Sequence, residues 1–359
     1  NYFKAMTGAT CTPSFNAVLT CQNTNMDPWN TLPYLIVTGA VKATGSISSY
    51  TSSGSSMWIS APGGQFAQKG SPFILPNGNS WTCTGDYLTE CQPAILTTDL
   101  QGCNKGASQT GLTSPANAFE NNSNNLNPGC NYTSTMNGSS SSAPNLSGAV
   151  ALMLEANPDL TWRDVKYILA KTAEKVKPNT APIYVGNYVA TQGWVTNAAG
   201  YPFHNWYGFG RVDVDAAMTL AKNYSKSFGA FQTCNWKSSG TLTQSIPDYS
   251  STGTSHTLSV SDSIKIEAVQ IKVSALHYST GDLGVELVSP SGTKSIMLNI
   301  INGFYETNDL SDMVLLSNAF YQENSAGSWT IKVVDGVNLD WGTLTNWKIR
   351  FFGEGTCSN

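Results

Sequence analysis

A run of four serines, Ser139–Ser142, follows Gly138 and lies just before an apolar stretch with helical periodicity. A serine at the start of a helix lies beside backbone N–H groups that have no partner within the helix, at the positive end of the helix dipole. An acyl-transfer enzyme directs such groups at a developing oxyanion. The segment therefore indicates a nucleophilic serine, and a serine-rich loop that caps a core helix is the alternative.

Helices must position this serine. The residues from Ser142 to Ala156 are apolar nearly all round, which predicts a buried helix. Thr161 and Asp164 have the spacing of a capping box, so a second helix is expected to run from there to about Lys175. A short third helix is expected over Val214–Lys222.

Strands are predicted on both sides of these helices. Leu32–Val41 and Ser56–Ala61 are typical of buried strands in a parallel sheet, and the second stops at a Pro-Gly-Gly turn. After Tyr224 apolar and polar residues alternate between turn residues, which predicts an antiparallel β-sandwich. Its predicted strands include His256–Val260, Ile264–Val273, Leu283–Leu287, Trp329–Val334 and Trp347–Phe352. The expected fold is an α/β domain over residues 1–226 followed by an all-β domain over residues 227–359.

Charge and composition exclude several classes of function. The 359 residues, 40% of them hydrophobic, suffice for two or three domains with buried cores. Charged residues make up 12% of the chain, half of the usual fraction of about 25%. With a formal net charge of −4 and no Lys/Arg run, the chain has no electrostatic footprint for a nucleic acid. The longest apolar stretch, near Gly148–Leu154, is too short to span a membrane.

The cysteine pattern indicates disulfides. The eight cysteines contain no CxxC pair, which argues against zinc and thioredoxin-like chemistry and favours an oxidising compartment. Pairing of nearest neighbours would join Cys11 to Cys21, Cys83 to Cys91 and Cys103 to Cys130, and would leave Cys234 and Cys357 to clamp one terminal domain. The sequence leaves this connectivity open. We expect a secreted, extracellular protein, with any signal peptide upstream of residue 1.

The serine segment resembles the nucleophile segment of the subtilases, which reads Gly-Thr-Ser, then three small residues, then Pro. Gly138-Ser139-Ser140 followed by Pro144 has this form, and the alignment places the nucleophile at Ser140. Asn145 stands where most subtilases have a histidine that is not catalytic. The resemblance implies that the first domain is the C-terminal part of a subtilisin-like, parallel-sheet catalytic domain.

Further segments resemble the kexin/furin-like branch of that family, in its bacterial type. The first domain contains LEANPDLTWRDVKYIL (154–169) and YGFGRVD (207–213). The second contains VELVSPSGTKS (285–295), GSWTIKVVDG (327–336) and GTLTNWKIRFFGEG (342–355). These last three resemble the P domain of that branch, a jelly-roll sandwich that buttresses the catalytic domain.

The resemblance implies a secreted serine endopeptidase that cleaves peptide bonds after basic residues. In subtilases the histidine base and its orienting aspartate precede the serine in the chain. His204, His256 and His277 all follow Ser140, and we interpret each of them as a packed or surface histidine. The chain therefore resembles the C-terminal portion of a protease, and it is expected to start inside the catalytic domain. Alone, the chain is expected to be inactive.

Two binding residues follow from the same resemblance. Subtilases place an asparagine upstream of the first strand, where its amide completes the oxyanion hole. We assign this role to Asn1, with Asn16, or a surface asparagine without a role, as alternatives. Asp27 stands twelve residues before Gly39, like the aspartate that lines the S1 pocket of kexin-like enzymes and selects lysine or arginine. The alternative is that Asp27-Pro28 starts a turn.

Calcium is the cofactor that the resemblance implies, although it is not located in this chain. Two acidic positions that help to bind calcium beside the S1 pocket fall near Gln22 and Gln65, and glutamine lacks the negative charge that a calcium site prefers. The expected partners are a protein or peptide substrate, the N-terminal part of the same protease, and a pro-segment or helper for folding.

A competing hypothesis comes from another class of protein. A secreted binding or adhesion protein could combine an inactive subtilase domain with a β-sandwich that binds the partner. The missing histidine and aspartate favour this hypothesis, and the intact segment around Ser140 opposes it.

Overall fold

The computed structural model describes residues 22–66, 93–113, 119–120, 126–225, 228–303 and 309–358, and the backbone of residues 72–74 and 80–82. The chain divides into two compact units. The first draws on Asn1–Val37, Ser52–Ile59 and Val150–Asn359, and the second on Thr38–Thr51 and Ser60–Ala149. The predicted domain boundary between residues 226 and 227 lies outside the described residues and stays a prediction.

The described residues form three α-helices, which are α1 (Ser139–Ala156), α2 (Trp162–Thr172) and α3 (Val214–Lys222). The predicted capping box at the start of α2 is confirmed, because Thr161 accepts from the Asp164 N–H and Asp164 accepts from the Thr161 N–H. The prediction for α3 is also confirmed. Within the described ranges, no helix combines the length and apolar character that a membrane crossing requires.

The prediction that α1 is buried all round was wrong. Leu146, Ala149 and Met153 are 5%, 3% and 0% exposed and lie on one face of the helix. Leu152 and Leu154, in contrast, are 44% and 38% exposed. The apolar residues on the other faces of α1 therefore lack cover from the described part of this chain. The helix also begins at Ser139, three residues before the predicted start.

The first predicted strand is shorter than expected. Strand β1 spans only Thr38–Val41 and pairs with β2, which spans Ile59–Pro62. Upstream of β1 the Leu35 N–H donates to the Leu32 carbonyl at 3.4 Å, so the chain turns around Pro33. Proline has no N–H for a sheet ladder, which explains why the strand does not extend through it.

The second unit also contains two pairs of antiparallel strands. Strand β3 (Pro72–Ile74) pairs with β4 (Ser80–Thr82), and β5 (Ile95–Thr98) pairs with β6 (Tyr132–Met136). A disulfide between Cys103 and Cys130 ties the connection from β5 to β6, which confirms this predicted pair. The predicted pairs Cys11–Cys21 and Cys83–Cys91 lie outside the described residues.

The remaining strands belong to the first unit. Two short hairpins precede α3, β7 (Ile183–Val185) with β8 (Tyr188–Thr191) and β9 (Val195–Thr196) with β10 (Pro202–Phe203). The later strands are β11 (Phe231–Thr233), β12 (Lys237–Ser238), β13 (Gln244–Ile246), β14 (Ser250–Val260), β15 (Ser263–Leu276), β16 (Leu283–Val288), β17 (Lys294–Leu298), β18 (Leu310–Ser317), β19 (Gly327–Asp335) and β20 (Gly342–Thr356).

These later strands form two antiparallel sheets, as the alternating pattern predicted. One has the order β11-β20-β15-β18, with β12 and β13 also paired to β20, and the other has the order β14-β19-β16-β17. Residues of both sheets, such as Ile271 and Ile349 from the first and Val285 and Ile331 from the second, share one buried apolar cluster. The jelly-roll assignment of these strands stays a prediction. The predicted disulfide between Cys234 and Cys357 is confirmed.

Buried asparagines connect the two sheets to the rest of the first unit. Asn25 donates to the carbonyls of Met297 and Leu316 at 3.1 and 3.2 Å and accepts from the Leu316 N–H at 2.9 Å. Asn197 and Asn205 likewise donate to backbone carbonyls of the sheet region. These amides hydrogen-bond buried backbone groups of the sheet region, so specific polar contacts as well as apolar packing join it to the rest of the first unit.

Candidate active site

Ser140 lies in the first turn of α1, just after strand β6. The strand ends at Met136, Gly138 has a φ angle of +106°, and the helix begins at Ser139. Glycine adopts this backbone conformation readily, whereas residues with a side chain rarely do. Gly138 therefore forms the turn between strand and helix. Both Ser139 and Ser140 are exposed.

The backbone of this turn presents free donors beside the serine. The N–H groups of Ser141 and Ser142 donate to the Gly138 carbonyl at 2.9 and 3.3 Å. The N–H groups of Ser139 and Ser140 come earlier in the turn, where a helix offers them no acceptor. An exposed hydroxyl with its own N–H free in a helix N-terminal turn can attack a carbonyl and hold the resulting oxyanion.

Two histidines are packed within the first unit. The Nδ1 atom of His204 accepts from the Trp206 N–H at 3.0 Å, and burial lowers the pKa of His204 to about 3. His204 is therefore neutral at physiological pH. The Nδ1 atom of His256 accepts from the indole N–H of Trp347 at 3.0 Å. Both contacts agree with the interpretation of these side chains as packed histidines.

His277 is paired with a carboxylate in the same unit. Its Nε2 atom lies 3.2 Å from Asp335 Oδ2, its Nδ1 atom accepts from the Ser279 N–H at 3.1 Å, and both side chains are fully buried. Burial alone would lower the pKa of His277, but the hydrogen bond and charge of Asp335 outweigh it and the pKa is raised. Because both ring nitrogens are engaged in the interior, this ring cannot serve as the base for a nucleophile.

Asp27 lies between two short 3₁₀ helices, Thr24–Met26 and Pro28–Thr31. Its Oδ1 atom accepts from the Trp29 N–H at 3.0 Å, so the side chain caps the second of these helices. Asp27 is half-buried. Asp27 and Pro28 thus start a helical turn, as the alternative interpretation expected. A role of Asp27 in a substrate pocket stays a prediction.

The proposed oxyanion asparagine is not among the described residues. Both Asn1 and its alternative, Asn16, fall in the part of the chain before residue 22. The assignment of Asn1 therefore stays a prediction.

Gln22 and Gln65 do not fit a calcium site. The Gln65 side chain accepts from the Ser49 N–H at 3.2 Å and donates to the Ser49 hydroxyl at 2.7 Å. The side-chain Oε1 atom of Gln22 accepts from the Ser52 hydroxyl at 3.3 Å. Calcium prefers about six to eight oxygen ligands that include carboxylates. Among the described residues, no group of three or more His, Cys, Asp or Glu side chains could hold a metal ion. No chemical step through calcium follows from these positions.

Tyr50 lies beside the serine turn, and no sequence pattern predicted this contact. Its hydroxyl accepts from the Gly138 N–H at 2.9 Å and donates to the Gly63 carbonyl at 2.6 Å. Tyr50 lies in a polar stretch without clear periodicity, so only the folded chain identifies its partners.

Glu120 is a second such residue. Its side chain is buried, and its carboxylate accepts from the Ser134 N–H at 2.6 Å and from the hydroxyls of Ser134 and Ser108 at 2.7 and 2.5 Å. These bonds hold strand β6 in place shortly before the serine turn. A lone glutamate in an Asn- and Ser-rich region carries no spacing pattern that would have predicted this.

Comparisons with known proteins identify the family to which this chain belongs. Residues 20–210 match the model of the subtilase family, and residues 266–351 match the model of the proprotein convertase P-domain. Because the first match covers more than half of the chain, this chain belongs to the subtilase family. The prediction of a subtilisin-like fold followed by a P domain is confirmed at this level.

The similar proteins include bacterial and animal proteases. The Aeromonas extracellular serine protease of Aeromonas sobria is 36% identical over 88% of this chain and 50% of its own length. Furin of Mus musculus is 26% identical over 62% of this chain and 27% of its own length. A crystal structure of the A. sobria serine protease in complex with a chaperone has a TM-score of 0.81 at 32% identity, and covers 94% of this chain and 60% of that chain. This chain spans about half the length of the first curated relatives that it matches.

Proposed function

We propose that this chain is the C-terminal part of a secreted serine endopeptidase of the kexin-like type, with Ser140 as its nucleophile. The observation that carries the proposal is the exposed Ser140 hydroxyl beside free N–H groups in the first turn of α1. This arrangement suits acyl transfer. Membership of the subtilase family, the match to the proprotein convertase P-domain and similarity to an extracellular serine protease support the same reaction class.

The reaction follows the logic of a serine, a base and an orienting carboxylate. A histidine from an upstream part that is absent from this chain takes the proton from Ser140 Oγ, which attacks the scissile carbonyl. The Ser140 N–H and an asparagine amide, for which Asn1 is the candidate, hold the oxyanion. The histidine gives its proton to the leaving amine, and water then attacks the acyl-enzyme and restores the Ser140 hydroxyl. This chain alone is expected to be inactive.

A preference for basic residues at the cleavage site is proposed from Asp27. A carboxylate in a substrate pocket forms charge-assisted hydrogen bonds with a lysine or arginine side chain. The capping bond to Trp29 uses Oδ1, and the other carboxylate oxygen remains the atom proposed to meet the substrate. The glutamines at positions 22 and 65 leave the charge at this pocket smaller than in kexin-like enzymes, so the preference is expected to be looser.

Partners and location are proposed on related grounds. The N-terminal part of the same protease is proposed to pack against the exposed apolar residues of α1. A pro-segment or helper for folding is proposed because a similar protease was crystallised with a chaperone. Secretion is supported by the two disulfides and by the word extracellular in the name of a relative. Calcium, if bound, would use ligands other than Gln22 and Gln65.

The proposal is tested by labelling the full-length gene product with a fluorophosphonate probe. We expect covalent labelling at Ser140, no labelling in Ser140→Ala, and normal labelling in the matched control Ser139→Ala, whose serine is also exposed. Peptide hydrolysis by Ser140→Ala should fall at least about 1,000-fold. A folded full-length protein that is not labelled would contradict the proposal and would favour the binding or adhesion protein instead.

A further inference from the structure

The hydroxyl of Tyr50 lies where two turns of the second unit meet. It is 2.6 Å from the Gly63 carbonyl and 2.8 Å from the Gly64 carbonyl, and it accepts from the Gly138 N–H at 2.9 Å. The N–H groups of Gly63 and Gly64 donate to the Val41 carbonyl at 2.9 and 3.2 Å, which anchors this glycine turn to the end of β1. Tyr50 therefore joins a turn that β1 holds to the residue that begins the serine turn.

Gly138 is held on both sides of its α-carbon. Its N–H meets the Tyr50 hydroxyl at 2.9 Å and, over a longer distance of 3.2 Å, the Gly63 carbonyl. Its carbonyl accepts from Ser141 and Ser142 and so starts α1. Since Gly138 has a φ angle that few other residues adopt, the direction of the peptide before Ser139 and Ser140 depends on these bonds.

We propose that Tyr50 is a positioning residue for the nucleophile, acting through Gly138. Its hydroxyl sets the orientation of the Gly138 backbone and thereby that of the Ser140 hydroxyl and N–H. This inference rests on the proposed function of Ser140. Because acylation depends on the alignment of the hydroxyl with the oxyanion donors, a small rotation of this turn lowers the rate of acylation more than the binding of substrate.

The phenol of Tyr50 is suited to this role over a wide pH range. Burial raises the pKa of Tyr50, although hydrogen bonds with Ser48 and Gly138 partly offset the effect. The hydroxyl therefore keeps its proton at neutral pH, donating one hydrogen bond to the glycine turn while it accepts another from Gly138. The ring packs edge-on against Phe66 at 5.6 Å between centroids, a contact that phenylalanine at position 50 would keep.

Replacement of Tyr50 by phenylalanine leaves each backbone partner with another hydrogen bond. The Gly138 N–H retains the Gly63 carbonyl, and the Gly64 carbonyl retains the Ser48 hydroxyl at 2.7 Å. No buried group loses its last partner, so the variant should fold. Thr51→Val is the matched control, because it removes a buried hydroxyl beside Tyr50 in the chain that bonds the Ala40 carbonyl at 2.8 Å. That carbonyl keeps the Ser48 N–H at 3.0 Å.

The experiment compares full-length wild type, Tyr50→Phe and Thr51→Val in peptide hydrolysis and in the rate of fluorophosphonate labelling at Ser140. We expect kcat and the labelling rate of Tyr50→Phe to fall about tenfold, with KM within about twofold of wild type. Thr51→Val should remain close to wild type. An unchanged kcat in Tyr50→Phe, a loss confined to KM, an equal loss in Thr51→Val, or an unfolded variant would each overturn the inference.

Hydrogen exchange of the chain itself gives a readout that does not need activity. In Tyr50→Phe, the Gly138 amide should exchange at least about tenfold faster than in wild type, with the sheet amides of the first unit unchanged. Equal exchange at Gly138 would overturn the inference. Failure of the proposed function has a different signature, because wild-type full-length protein would then not be labelled at Ser140.

Discussion

At the scale of single residues, Asp27 combines a structural contact with a proposed role in selectivity. Asparagine caps a helix N-terminus about as well as aspartate, so Asp27→Asn keeps the bond to the Trp29 N–H and removes the charge. We expect kcat/KM of the full-length enzyme for arginine or lysine at P1 to fall about 10- to 100-fold, and for neutral residues to fall much less. Peptide substrates that differ only at P1 measure this.

Asp213→Asn is the matched control for this change. Asp213 caps α3 by accepting a hydrogen bond from the Ala216 N–H at 2.9 Å. The control therefore makes the same substitution at another helix-capping aspartate. It should leave the ratio between basic and neutral substrates unchanged. Equal losses for both substrate types in Asp27→Asn would remove Asp27 from the substrate pocket.

Lys166 is a buried amine whose protonation depends on the folded state. Its Nζ donates to the Pro33 carbonyl at 2.6 Å and lies 3.9 Å from the centre of the Trp58 ring. Burial lowers the pKa of Lys166 to about 7, an effect that the charge of Glu267 only partly offsets. The folded protein thus releases this proton near neutrality, whereas the unfolded chain keeps it up to the ordinary lysine pKa of 10.5.

This difference has a defined sign in the dependence of stability on pH. Above about pH 7 the unfolded state binds more protons than the folded state, so the free energy of unfolding rises with pH. Relative to Lys166→Met, the wild-type chain should gain about 2–3 kcal/mol between about pH 7 and about pH 9.5. Urea denaturation of both proteins at the two pH values measures this gain. If the difference in unfolding free energy between the two proteins were the same at both pH values, the pKa shift would be contradicted.

At the scale of elements, α1 carries apolar side chains on more than one face. Leu152→Gln should change the free energy of unfolding of this chain by less than about 0.5 kcal/mol, because Leu152 is 44% exposed here. In the full-length gene product the same change should cost about 1–3 kcal/mol, because the upstream part is proposed to cover this side chain. Denaturant unfolding of the two lengths of chain measures the difference.

Leu276 provides the control for that comparison. It is 54% exposed at the end of β15 in the first unit, so Leu276→Gln should have a small effect in both lengths of chain. If Leu152→Gln were equally tolerated in the full-length protein, the proposed cover of α1 would be wrong.

At the scale of the whole molecule, the Cys234–Cys357 disulfide joins residues 123 positions apart at the two ends of the sheet region. Cross-links that close long loops restrict the unfolded chain most. We expect the double variant Cys234→Ala, Cys357→Ala to lose about 2–4 kcal/mol of unfolding free energy. Denaturant unfolding followed by tryptophan fluorescence measures it.

The Cys103–Cys130 disulfide serves as the comparison, since its residues are only 27 positions apart. Its removal should cost about 1 kcal/mol less than removal of the long-range bridge, as the loop-length relation requires. An unchanged stability after loss of Cys234–Cys357 would show that the sheets and their shared core alone hold the two ends.

Several features were predictable from the sequence because they depend on neighbouring residues. The capping box of Thr161 and Asp164, the helix over Val214–Lys222 and the alternating strands after Tyr224 arise from local hydrogen bonds and from side-chain periodicity. The subtilase motif around Ser140 is equally local, since it occupies consecutive residues. The two predicted disulfides that the structure describes were also confirmed.

Only the tertiary structure decided which surfaces are covered and which distant groups meet. The sequence of α1 is apolar enough for burial on every side, but burial depends on what packs against the helix, and Leu152 remained exposed. The Gly138 partner of Tyr50 and the Leu316 partner of Asn25 lie 88 and 291 positions away along the chain. The partners of Glu120 include Ser134 of β6. A polar side chain in an irregular stretch carries no periodicity, so such contacts arise only when folding brings separate segments within hydrogen-bonding distance.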